Sequence, residues 1–173
     1  MIWVLTGTAA FVILIIFEVQ KCRNALKNRT AFNPWFVLGT LMLLLSFVGI
    51  AMDNHAAGGA RLISGIVIMT AGVLSYIIVL TAGLKKRGYL EDEQNASVSR
   101  KGLYGRLRHP GVWSFLLCGV GFGMVFTGTT GKALWLVLLN LIYTWLQDRY
   151  FFPVYLKGYE EYKRDVPYLF PKI

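Results

Sequence analysis

The sequence predicts an all-α integral membrane protein of about five transmembrane helices with an amphipathic helical tail on the cytoplasmic side. Three observations predict it. Of 173 residues, 55% are hydrophobic and only 16% are charged, against about 45–50% and about 25% in soluble domains. The apolar residues fall in long uncharged stretches separated by short polar segments. The charge, a net +9, gathers on one side of those stretches. Together these exclude a disordered tail, a collagen-like repeat and an ordinary cytosolic domain. A pI of 9.7 with a mean hydropathy of +0.52 points to a membrane rather than to nucleic acid.

Five stretches qualify as spans. Residues 2–17 are uncharged and end at Glu18; residues 34–52 are rich in Leu, Phe and Val; residues 62–84, 111–131 and 133–147 are also uncharged. A bilayer core of about 30 Å takes ~20 residues of helix, within a range of about 17–25. The first and last stretches are short, so their ends reach into the interface. The break between the fourth and fifth rests on the turn-forming run from Thr127 to Lys132. A cleaved signal peptide wants positive charge ahead of its apolar region. Here Lys21, Arg23, Lys27 and Arg29 follow it, the pattern of a retained span with its N-terminus outside.

Charge placement sets the topology. The segment after span one has four Lys/Arg, residues 85–108 have seven and the tail from Arg149 has five. Only Arg61 and Lys132 fall on the other side. The positive-inside rule makes the rich side cytoplasmic. The chain then divides into a three-span region with its cytoplasmic loop, 1–101, and a C-terminal core, 102–173.

Several features carry packing rather than chemistry. Cys22 and Cys118 are not placed to pair, and His55 and His109 lie on opposite sides without metal-ligand spacing. Gly119-Val-Gly-Phe-Gly123 has no preceding strand and reads as small-residue packing, within the chain or across a dimer.

Two clusters carry candidate chemistry. Arg106, Arg108 and His109 directly precede span four, and Pro110 suits the first turn of a helix, where its missing N–H costs nothing. Cations at a helix N-terminus favour a carboxylate or phosphate; the alternative is anchoring of arginines among lipid headgroups. Gln147-Asp148-Arg149 follows span five. An acid at the end of a span is a functional-site candidate, with a surface ion pair as the alternative. The aromatic tail reads as a helix ending before Val166-Pro167. It either lies on the headgroups or folds back as a lid over the basic cluster.

These residues reach a family. GLYGRLRHP (102–110), the hairpin 111–146, QD (147–148) and YEEYKRDVPYLFP (159–171) resemble the C-terminal core of the isoprenylcysteine carboxyl methyltransferase and phospholipid methyltransferase superfamily. The resemblance covers about 40% of the chain. Val112 and Ser114 stand where that family usually has Tyr and Gly, Gly158 is displaced by two positions, and Gln147-Asp148 stands where it has two glutamates. The resemblance implies S-adenosylmethionine bound on the cytoplasmic side and a lipophilic substrate, prenyl-cysteine-like carboxylate, thiol or lipid amine, admitted from the membrane. It implies catalytic roles for Arg108 and Asp148, and cofactor contacts from Tyr104, Arg108, His109, Pro110, Gln147, Asp148 and Tyr159. The competing expectations are a non-catalytic relative serving as membrane scaffold or partner subunit, and an NADPH-dependent membrane reductase, whose chains are normally longer.

Overall fold

The computed structural model describes residues 1–26, 34–86, 98, 100 and 102–170. Lys27, Arg29, Arg87, Lys101 and Lys172 of the basic collar, and Pro171 of the tail, lie outside the described residues.

The described residues form helices and no strands. Three helices are long and apolar enough to cross a membrane, through Ile2–Arg23, Pro34–Met52 and Gly59–Thr81. They belong to α1 (Ile2–Leu26), α2 (Pro34–Met52) and α3 (Gly59–Lys86). After the short α4 (Leu103–Arg106) come α5 (Pro110–Val125) and α6 (Thr130–Leu146). At 16 and 17 residues, α5 and α6 are about 24–26 Å long, so each falls short of the hydrocarbon thickness unless its flanks contribute. The chain closes with a π-helical turn, Gln147–Phe151, then α7 (Phe152–Tyr155) and α8 (Tyr159–Asp165).

The elements end where local chemistry ends them. Helix α1 runs past Glu18, where the apolar stretch stops, because the polar sequence that follows holds no breaker before Leu26. The α5–α6 break, residues 126–129, overlaps the start of the expected turn, and α6 begins at Thr130, earlier than expected. Gly128 adopts a φ of +72°, open to glycine at little cost, and the Thr129 hydroxyl donates to the Phe126 carbonyl at 2.8 Å. Pro153 explains the π turn. It has no N–H to give the carbonyl four residues back, and its ring would crowd that carbonyl. The helix widens instead, and the Phe152 N–H reaches back five residues to Gln147.

Packing is close where it is internal and open elsewhere. Helix α1 packs on α2 and α6, and α5 packs on α3 and α6. The inner residues are Phe11, Leu14, Ile50, Phe122, Leu136 and Tyr143. Gly119 and Gly123 face Val137 and Thr130 of α6, while Gly121 turns the opposite way onto the Met69 backbone of α3. This glycine run therefore packs within the chain. Leu41, Leu45 and Val48 of α2 and Val67, Leu74 and Ile78 of α3 remain exposed, so the apolar surface points outward, as lipid contact requires.

The tail folds back. Phe152, Tyr155, Leu156, Tyr159, Tyr162 and Val166 form a second core against Cys22 and Val98. Glu160, Glu161, Arg164 and Asp165 stay exposed. Gly158, with φ +74°, makes the turn between α7 and α8.

Candidate functional site

The N-terminus of α5 is built by a proline. Pro110 takes the first helical position and disfavours helical backbone at the residue before it. His109 accordingly sits at φ −125°, ψ 62°, and the chain enters the helix extended. This leaves the backbone N–H groups of Arg108 and His109 outside any helical ladder. They donate to the carbonyls of Pro167 and Tyr168, at 3.0 and 3.3 Å. Trp113 Nε1 adds a bond to the Leu169 carbonyl at 2.8 Å. The segment after α8 is thus strapped across the start of α5.

The polar centre lies beneath that strap. Asp148, on the π turn, is 7% exposed. Its Oδ1 accepts from the Tyr159 hydroxyl at 2.6 Å and lies 3.3 Å from His109 Nε2 and 3.4 Å from Arg108 Nε. Burial alone would raise the Asp148 pKa; hydrogen bonds from His109 and Tyr159, with the charges of His109 and Arg108, outweigh it, and the carboxyl titrates below its ordinary range. His109 stacks on Phe152, with centroids 5.6 Å apart and rings within 7° of parallel. Tyr168 meets the same imidazole edge-on at 5.0 Å, and the Arg108 guanidinium lies 5.7 Å from the Tyr168 centroid. The Tyr168 hydroxyl pairs with Thr144 Oγ1 at 3.1 Å. Burial is the main cause pushing its pKa up.

Arg108 is the unbalanced member. It is 8% exposed, and neither Nε nor Nη1 has a hydrogen-bond acceptor among the described residues. The contact with Asp148 is an ion pair in distance only. A buried guanidinium with donors to spare, beside a helix N-terminus, suits an anion from outside the chain.

A second buried acid adjoins this centre. Glu18 of α1 is 1% exposed. Its Oε1 accepts from the Tyr143 hydroxyl at 2.9 Å and from Gln147 Nε2 at 2.5 Å, and its Oε2 accepts from the Tyr155 hydroxyl at 2.9 Å. Lys21 Nζ stands 4.4 Å from the Tyr155 ring centroid.

The structure therefore brings together Arg108, His109, Asp148 and Tyr159, with Pro110 setting the entry. It sends the other expected residues elsewhere. Gln147 turns to Glu18 rather than to Arg108. The Tyr104 hydroxyl donates to the Val79 carbonyl of α3 at 3.2 Å, and its own carbonyl accepts from Tyr162 at 2.6 Å, so this residue ties α4 to α3 and α8. Arg106 is exposed and stands apart from the centre. Ser114 pairs with Ser75 of α3 at 2.7 Å, and Val112 is buried. Sequence reasoning missed Glu18, Tyr143, Tyr155, Phe152 and Tyr168 as members of this polar layer. The available signal was Glu18 itself, an acid at the end of an uncharged span.

No protein-family model, curated protein or solved structure matches this chain.

Proposed function

We propose that this chain is a membrane-embedded methyltransferase that uses S-adenosylmethionine and acts on a lipophilic carboxylate, thiol or amine. The observation that carries the reading is the Arg108 guanidinium, buried beside Asp148 with Nε and Nη1 lacking acceptors. Leaving buried donors unmet costs about 1–3 kcal/mol each, so an anionic ligand group relieves a real deficit. The amino-acid end of S-adenosylmethionine offers a carboxylate for Arg108 and an ammonium for Asp148. Tyr168, half-buried beside them, offers an aromatic ring to a sulfonium. When bound, this cofactor would supply an electrophilic methyl group to a carboxylate, a thiolate or a free amine (which gives up a proton to solvent), leaving a neutral thioether. The chain's own residues orient the reactants and exclude water, the main source of rate in such a displacement.

The outward apolar faces of α2 and α3 support a membrane setting. The basic collar supports a cytoplasmic position for the site, an external N-terminus, and α5 and α6 as fourth and fifth spans. The Arg-His-Pro and tail motifs support the family resemblance. One observation favours a second reading, a scaffold without chemistry: Tyr168 and the strap already cover Arg108 and His109.

Thermal melts of the purified chain in detergent decide. S-adenosylmethionine or its demethylated product at millimolar concentration is expected to raise the melting temperature, NADPH is not, and His109→Ala is expected to abolish the rise. No shift with any of these overturns the proposal in favour of the scaffold. A shift with NADPH alone overturns it in favour of the reductase.

A further inference from the structure

We infer that Glu18 is a positioning residue for Asp148, acting through Gln147; the inference rests on reading the Arg108–Asp148 centre as a ligand site. A carboxylate taken out of water costs several kcal/mol unless its lone pairs are met. Glu18 is 1% exposed and meets that cost with three donors from three successive elements. Tyr143 lies on α6 before the π turn, Gln147 lies on the turn, and Tyr155 lies on α7 after it. One side chain of α1 therefore brackets the whole turn.

The turn needs such bracketing. Pro153 breaks the regular hydrogen-bond ladder, and a π turn has poorer intrinsic geometry than the α-helix it interrupts. Gln147 and Asp148 are consecutive, so their side chains leave the axis in different directions. With Gln147 held to α1, Asp148 is directed to Arg108, His109 and Tyr159. Freeing Gln147 removes the tie that fixes the rotation of the turn about the helix axis and lets Asp148 swing away from its partners. The ties to Glu18 are also stronger than neutral ones, because hydrogen bonds to a charged acceptor are roughly twice as strong. Lys21, whose ammonium lies over the Tyr155 ring, adds a positive charge on the α1 side.

The test exchanges the two groups in the full chain, comparing Glu18→Gln, Gln147→Glu and the double variant. Glu18→Gln is expected to weaken S-adenosylmethionine binding about tenfold, the difference between a charged and a neutral hydrogen bond, while the chain stays folded. Gln147→Glu sets two carboxylates together and lowers the melting temperature. The double variant restores one carboxylate facing one amide, and its affinity is expected to return most of the way. Unchanged affinity in Glu18→Gln, or a double variant no better than the single ones, overturns the inference. If the parent chain binds no S-adenosylmethionine, the ligand-site reading fails on its own, and amide hydrogen exchange over residues 147–152 then decides. Protection lost in Glu18→Gln and regained in the double variant upholds the role of Glu18 in setting the turn; protection unchanged in Glu18→Gln overturns it.

Discussion

The long-helix bundle and the C-terminal layer are held together by opposite means. In the bundle, glycines let helices approach to backbone distance: Gly121 on Met69, Gly72 on Cys118, Gly39 on Ala10. The polar ties between those helices come from small hydroxyls, such as Ser46 to the Trp3 carbonyl at 2.6 Å and Ser75 to Ser114 at 2.7 Å. In the layer formed by the π turn, α7, α8 and the strap, phenol hydroxyls do the joining. Tyr143 and Tyr155 serve Glu18, Tyr159 serves Asp148, and Tyr162 serves the Tyr104 carbonyl. Lipid gives helices no hydrophobic reason to associate, so close packing must supply the attraction. The layer must instead bury two carboxylates and a guanidinium, and tyrosine offers a donor on a rigid apolar body.

The largest effect is expected where that layer holds its charge. Asp148→Ala leaves the Arg108 guanidinium buried without a counter-charge, a change of about 3–5 kcal/mol for a broken buried pair. Thermal melts are expected to show it, with hydrogen exchange locating the loss in α7, α8 and the strap. A loss spread evenly through α2 and α3 would dissolve the distinction between the two regions. Acid probes the same contact. The Asp148 carboxyl titrates below its ordinary range in the folded chain, so the ionised form is the one that stabilises. That contribution is complete above about pH 4, the unfolded aspartate value, and disappears as pH falls through the lower folded value. As pH falls below about 4, the parent is expected to lose more stability than Asp148→Asn.

The two regions also differ in how far the sequence discloses them. The bundle follows from runs of uncharged residues, and the hairpin break follows from Gly128 and its threonine neighbours, because these are local properties. The pairing of the Arg-His-Pro segment with Asp148 was within reach, since Pro110 marks a helix start and an acid ends the preceding apolar run. The Glu18 cluster was not. Its donors lie 125 to 137 positions away, and only the packing of α1 on α6 brings them together. Tyr104, expected at the site from the family resemblance, shows the other side: the helical turn of α4 sends its hydroxyl to the Val79 carbonyl of α3.

A middle-sized effect tests the bundle. A Cβ on Gly121 would stand against the Met69 backbone, 2.7 Å from its Cα, and backbone cannot swing aside as a side-chain tip can. Gly121→Ala is expected to cost about 1–3 kcal/mol, as overpacking does. It should loosen α3 from α5 while leaving protection over residues 147–166 unchanged. Loss of protection in the tail instead would mean that the two regions unfold as one.

The smallest effect is expected at the surface of the layer. Arg100 Nη1 lies 2.7 Å from Asp165 Oδ2, and Nη2 lies 3.4 Å from Glu161 Oε2. The three side chains are 46%, 60% and 77% exposed, so water screens both contacts. Such pairs contribute about 0–1 kcal/mol, and Arg100→Ala is expected to move the melting temperature little. The residual difference should vanish in about 1 M salt, where the screening length falls to about 3 Å. Tyr162, on the buried face of the same helix, gives the matched comparison. Tyr162→Phe removes the 2.6 Å bond to the Tyr104 carbonyl and is expected to cost about 1–3 kcal/mol. If Arg100→Ala proved the more damaging of the two, α8 would be docked by surface charge and not by its phenols, and the contrast between the regions would rest on the wrong groups.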